Sequence, residues 1–199
     1  MHANFSGFIQ DDFLDEHLCN YIVSLLPKIN WEDNDKHGYW SNRTCSPWGF
    51  ANQVPCKSDA ELIFSVIASK INRIFRDKFL KQDLHPDTLD IVRWPSGFSQ
   101  SPHADAYSNN GQPNEYSYRS YGAIIYLNDS FSGGLTYYPN LGMSIEPRIG
   151  RLAIHPGDIQ HLHGVSEVSN GVRYTIASFW TSDENHQIGV NHDMDTLWI

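Results

Sequence analysis

At 199 residues, with 40% apolar, 19% charged and 13% aromatic side chains, the chain is long enough for a full hydrophobic core and unlike a disordered, collagenous or coiled-coil protein. Fourteen Lys and Arg against 23 Asp and Glu give a net charge of −9 with no basic block, so phosphate backbones and anionic membranes are poor partners. No basic-then-apolar leader precedes Asp15, no apolar run approaches about 18 residues, and Cys19, Cys45 and Cys56 lie in no CxxC spacing; a soluble, cytoplasmic chain with unremarkable thiols is expected.

The first 88 residues read as helical support. Between Asp11 and Leu26 the residues Phe13, Leu14, Leu18, Ile22, Leu25 and Leu26 recur at helical spacing, and Pro27 stops the run. A second helix is expected from Ser58, which has capping-box spacing to Glu61, with a stripe of Leu62, Val66, Ile67, Ile71, Ile74, Phe75 and Phe79. Residues 30–57 between them lack a sustained period. A loop of that length carrying Tyr39, Trp40, Arg43 and Trp48 has the character of a binding loop or lid.

From Leu89 the pattern changes to short β-type runs at 89–94, 121–127, 135–138, 151–155 and 172–180. Breakers such as Pro95-Ser96-Gly97, Pro156-Gly157 and Ser169-Asn170-Gly171 separate them. Helices followed by many short strands predict an α+β protein, a β-sandwich or barrel backed by N-terminal helices. The expected organisation is one domain over 1–199, with support at 1–88, a β core at 89–181 and a polar tail at 182–199 that closes on Leu197-Trp198-Ile199.

Motifs for dinucleotides, nucleotide phosphates, serine hydrolysis and zinc proteolysis are missing, which leaves histidine. Of two His-x-Asp tripeptides, His85-Pro86-Asp87 has a central proline and is expected to form a turn. His103-Ala104-Asp105 follows a strand, and in extended backbone residues two apart share a face, so both side chains could meet one ion. Two imidazoles and a carboxylate leave half of an octahedral metal open, which suits non-haem Fe(II) and dioxygen. His163 and His161 are candidates for the second imidazole, with His155 third. Arg173 stands ten residues after His163. A three-residue hairpin loop at 169–171, with Gly171 left-handed, would put both on one face and aim a guanidinium at a carboxylate.

Several ordered matches now accumulate: His103-x-Asp105; Arg119 seven residues before Tyr126-Leu127-Asn128; Gly133-Gly134-x-Thr136; Pro147-x-x-Gly150-Arg151; and His163-x-Val165 with Gly171-x-Arg173-Tyr174. From about Leu89 to Trp180 the chain resembles the iron(II)- and 2-oxoglutarate-dependent dioxygenases of the prolyl 4-hydroxylase type. The resemblance implies a double-stranded β-helix (jelly-roll) core with His103, Asp105 and His163 as Fe(II) ligands. It further implies 2-oxoglutarate held by Arg173 with Tyr126 and Thr175, and His161 turned away from the metal.

The implied activity is O2-dependent hydroxylation of an unactivated C–H bond, foremost on prolyl residues of a peptide or protein. Succinate and CO2 are the implied coproducts and ascorbate (vitamin C) an optional reductant. The same chemistry on another residue or a small molecule is one alternative, and a non-catalytic β-helix binding module another. Arg119 matches a position that faces protein substrate in related enzymes, and Trp180, Tyr39, Trp40 and Arg43 complete the expected substrate contacts. Trp94 and Gln100 stand where the family usually has Tyr, Glu167 where Pro is frequent, and Phe179 where Trp is usual. These departures leave the metal and cosubstrate residues in place and bear on the substrate.

Overall fold

A computed structural model describes residues 5–33 and 38–188. The chain begins with strand β1 (Phe8–Gln10), helix α1 (Glu16–Leu25), β2 (Thr44–Cys45), and helices α2 (Pro47–Ala51) and α3 (Lys57–Phe79). It continues through β3 (His85–Pro95), β4 (Gln100–His103), β5 (Tyr121–Tyr126), β6 (Ser132–Gly133), β7 (Thr136–Tyr138) and β8 (Met143–Ile145). The last strands are β9 (Leu152–Pro156), β10 (His163–Val165), β11 (Val168–Asn170) and β12 (Val172–Thr181). The residues Leu197-Trp198-Ile199 expected to close the tail lie outside the described residues.

Two antiparallel sheets face each other, one in the order β1-β9-β5-β12-β3-β2 and one in the order β4-β10-β7-β8, with β11-β6 as a separate ribbon. This is the jelly-roll arrangement, and the period-two alternation of its strands explains both faces of the large sheet. Leu89 and Ile91 of β3, Ile125 of β5 and Ile176 of β12 turn outward into the main core, where Cys19 and Ile22 of α1 and Phe64, Ile67, Ile71 and Phe75 of α3 cover them. The alternate residues Val92 and Trp94 turn inward and pack on Val165 and Val168. Helices therefore seal one side of the sheet, and the inner side is left for the site.

Helix α1 starts later than periodicity alone predicts, and α3 starts slightly earlier and buries a different face. Asp15, not Asp11, caps α1 by accepting from the His17 N–H at 2.8 Å, while Asp11 pairs with Arg148 and Arg151. Helix α3 starts after Cys56 without a side-chain cap, so the Ser58–Glu61 capping box does not form. Its buried face is Ala60, Phe64, Ile67, Ala68, Ile71 and Phe75, leaving Leu62 and Val66 63% and 45% exposed. The small alanines let the helix lie close to the sheet, a packing requirement that a count of large apolar residues misses.

His85-Pro86-Asp87 is the beginning of β3 rather than a turn. The register with β12 slips between Phe179, which faces Thr88, and Trp180, which faces Pro86. This bulge accommodates a proline with no N–H to donate. Gly171 is left-handed at φ 79° as expected, yet the segments around it do not form a hairpin. Strand β10 pairs with β4 and β7, and β12 with β3 and β5, so the chain passes from one sheet to the other at this point.

Candidate active site

The pairing of β4 with β10 sets His103 directly opposite His163, with ring centroids 4.5 Å apart. Asp105 stands just beyond the end of β4 and is buried. One ligand atom from each of His103, Asp105 and His163 lies within 4.8 Å of the other two, a spacing that would hold a metal ion. The Nδ1 atoms of His103 and His163 approach the backbone carbonyls of Ser101 and His161 at 3.2 and 3.1 Å. Each Nδ1 then carries the proton and donates, which leaves the Nε2 lone pairs for a ligand. Those Nε2 atoms stand 3.9 and 3.7 Å from Asp105 Oδ1.

Burial opposes ionisation of Asp105, but the imidazoles of His163, His155 and His103 outweigh it and hold the carboxyl well below the ordinary range. Burial, reinforced by His155, pushes His163 well down. A neutral imidazole facing an ionised carboxylate is the donor set a divalent cation needs. His161 is turned away, its Nδ1 on Asp158 Oδ1 at 2.7 Å and its Nε2 on Ser6 Oγ at 3.0 Å.

A cavity runs inward from His103 and His163 between the two sheets, past Thr175 and Val92 to Arg173 and Trp94. Arg173 sits opposite Trp94 on neighbouring strands, is 1% exposed, and has no ion-pair partner among the described residues. Its guanidinium donates from an Nη to Thr136 Oγ1 at 3.3 Å, and Thr136 Oγ1 lies 2.7 Å from the Tyr126 hydroxyl. Burial, and Arg43 nearby, lower the Arg173 pKa against the influence of Tyr126. The Nε atom of Arg173, the indole Nε1 of Trp94 and one Nη of Arg43 are buried donors without acceptors among the described residues. Unpaired buried donors are rare, and at the end of this cavity one on the buried Arg173 cation and one beside it on Trp94 call for an anion.

A wider groove leads outward from the same histidine–aspartate cluster, lined by Trp40, Asp90, Asn114, Tyr116, Arg119 and Phe179 among others. Arg119 is tied to Asp87 at 2.7 Å and lies under the Phe179 ring at 3.9 Å, so it shapes the groove wall. Three residues expected to contact substrate, Trp180, Arg43 and Tyr39, line neither the groove nor the cavity. Trp180 is fully buried, packs on Phe75 of α3 and donates from Nε1 to Ser178 Oγ; alternation along β12 puts it on the helix side and Phe179 on the groove side. Arg43 is 3% exposed, boxed in by the rings of Tyr39, Trp40, Trp94 and Phe98, and donates to the carbonyls of Arg93 and Tyr39. Tyr39 donates its hydroxyl to Ser99 O and lines neither space. These two fasten the long loop, and Trp40 alone of the trio reaches both the cavity and the groove.

Sequence reasoning missed Trp94 as a donor and Asp90 as a groove residue, and considered His155 only as a third-ranked metal ligand. The last had a signal: an imidazole closing the run Leu152-Ala153-Ile154 in a buried strand needs a polar partner.

The fold and the site together define a jelly-roll protein with a two-histidine, one-carboxylate cluster on its inner face and a buried arginine at the depth of the adjoining cavity. Residues 89–181 match the family described as the 2OG-Fe(II) oxygenase superfamily. It is 35% identical over 80 residues to prolyl 3-hydroxylase 1 of Gallus gallus, covering 38% of this chain and 11% of that protein. It is 32% identical over 207 residues to prolyl 3-hydroxylase 2 of Rattus norvegicus, covering 87% of this chain and 29% of that protein. The chain thus spans under a third of these curated relatives. Its fold matches a Trichoplax adhaerens prolyl hydroxylase solved with a hypoxia inducible factor peptide, at TM-score 0.67 and 17% identity over 92% of this chain and 86% of that one. No helix among the described residues is long and apolar enough to cross a membrane.

Proposed function

We propose that the chain is an Fe(II)- and 2-oxoglutarate-dependent dioxygenase that hydroxylates a C–H bond of a peptide or protein, foremost on a prolyl residue, with succinate and CO2 as coproducts. The observation that carries this reading is the coincidence, in one cavity, of the three converging ligand atoms and of the orphaned donors of Arg173 and Trp94. The residues fit the groups. His103 Nε2, His163 Nε2 and an Asp105 oxygen would hold Fe(II), and Arg173, Trp94 Nε1 and Thr175 would hold the distal carboxylate of 2-oxoglutarate, with Tyr126 supporting Thr136 behind them. Bound together, the metal, keto acid and O2 supply the oxidising equivalent that a protein side chain lacks.

The chain's own share is geometry and exclusion. Val92, Ile124, Val165 and Ala177 keep the cavity walls apolar, so water has few partners near the reacting C–H bond. His103 is the half-exposed member of the cluster, which leaves the groove as the substrate's approach. Trp40, Tyr116 and Phe179 offer flat apolar surface there, suited to a pyrrolidine ring and its flanking backbone.

The prolyl assignment rests on the relatives' names and on these rings. One observation favours the second reading, the same chemistry on a different residue: Asp90 and Glu32 bring carboxylates to a groove that a proline ring does not require. Anaerobic titration of the Fe(II) protein with 2-oxoglutarate tests the class, through the visible charge-transfer band of a chelated keto acid. Absence of that band, or its persistence in His103→Ala, would end the reading. Succinate release with proline-containing peptides against peptides carrying other residues decides the substrate.

A further inference from the structure

His155 closes an apolar run in strand β9, 1% exposed, and is neither a metal ligand nor a cosubstrate contact in the reading above. Its Nε2 is 3.3 Å from Asp105 Oδ2 and its Nδ1 is 2.9 Å from the Tyr138 hydroxyl, which is itself fully buried. The un-ionised Tyr138 hydroxyl is the hydrogen-bond donor to Nδ1. The imidazole proton is then on Nε2, where it can only donate to Oδ2. Asp105 Oδ1 remains as the oxygen that faces His103 and His163.

A third strand makes room for this arrangement. Gly122 of β5 lies opposite His155 in the register, and a Cβ there would stand 2.6 Å from His155 Nε2 and 2.7 Å from Asp105 Oδ2. The backbone is bare where imidazole and carboxylate meet. Elements β5, β7 and β9 thus each contribute one part to holding a single carboxylate oxygen.

We infer that His155, set in one tautomer by Tyr138 and given space by Gly122, is the positioning residue that occupies Asp105 Oδ2 and presents Oδ1 alone to the metal. Without the imidazole Oδ2 would be a buried, unpaired acceptor and the carboxylate would rotate about its last bond, free to offer both oxygens. The inference rests on the metal-site reading above, and its test separates the two.

The full-length protein is titrated with Mn(II), followed by electron paramagnetic resonance, and its Co(II) form is examined by visible absorption. Wild type should bind both ions and His103→Ala should bind neither well; if wild type fails to bind, both the metal site and this inference fall. Given binding, His155→Phe should weaken Mn(II) affinity roughly 10- to 100-fold, the range for lost outer partners of metal ligands. The Co(II) bands should shift as the carboxylate becomes bidentate. His155→Gln, whose amide can still donate to Oδ2, should recover most of the affinity and the wild-type bands. Tyr138→Phe, which releases the tautomer, should lose affinity several-fold and answers the question should His155→Phe fail to fold. Wild-type affinity and bands in His155→Phe or Tyr138→Phe would overturn the inference while leaving the metal site standing, as would a Gln variant no better than Phe.

Discussion

Replacing Arg173 by Met should stabilise the ligand-free protein while removing its response to 2-oxoglutarate. The guanidinium is 1% exposed, lacks an ion-pair partner among the described residues, and leaves Nε without an acceptor. An unmet buried donor costs about 1–3 kcal/mol, and desolvating a cation with no anion costs several more. Contacts at 5.1 Å with the Tyr126 ring and 5.3 Å with the Trp94 ring return part of this. Each is worth about 1–2 kcal/mol where water is excluded. An apolar side chain of similar length should therefore gain about 2 kcal/mol, which in a domain of this size raises the melting midpoint by roughly 4–8 °C. Saturating wild type at a hundredfold excess over Kd should add about 2.7 kcal/mol, and the variant should gain none of it. Thermal melts of the Mn(II)-loaded protein with and without 2-oxoglutarate measure both effects. A variant less stable than wild type, or one that keeps the 2-oxoglutarate shift, would refute the assignment of this end of the cavity as an anion seat.

Trp94→Phe removes the second orphaned donor lining the cavity while keeping an aromatic face, and should weaken 2-oxoglutarate binding by roughly 5- to 30-fold, read from the same charge-transfer titration. Burial, with Glu32 adding to it, lifts the Asp90 carboxyl from 3.8 to about 7. The folded protein then keeps this proton where the unfolded chain has lost it, so stability should fall as pH rises from about 4 to about 7 and level off beyond, by no more than about 4 kcal/mol for a half-buried group. Asp90→Asn should flatten that slope and exceed wild type in urea midpoint at pH 8; parallel profiles for the two proteins would contradict it. Trp180→Phe should cost about 1–3 kcal/mol of stability and leave the peptide KM unchanged, whereas Phe179→Ala should raise that KM with little effect on 2-oxoglutarate affinity. The opposite pattern in steady-state assays would return Trp180 to the substrate side.

The parts of the site that sequence reading reached are those governed by local geometry. His103 and Asp105 are two apart at the end of an extended run, and their side chains do converge. Choosing His163 over His161 and His155 needed more than spacing, because all three sit in or beside buried strands and only strand register separates them. The hairpin expected around Gly171 shows the limit. The glycine's conformation was readable from its turn, but the partners of the flanking strands were not, since His163 and Arg173 line one cavity from two different sheets rather than along one. Trp180 lies in the core rather than the groove for a related reason, one residue of alternation being enough to move a side chain from one to the other.

The amino-acid order by itself determined the kind of protein: which donors exist, that they fall in strands behind two helices, and that an arginine follows the last histidine at a set distance. Those features are local, depending on residue chemistry and the two- and 3.6-residue periods. Only the tertiary structure decided which face each strand turns inward, that Arg43 is spent on holding its own loop, and that His155 reaches Asp105 over a glycine. Such contacts join residues 50 apart in the chain, and their energies come from packing and register that no window of neighbouring residues contains.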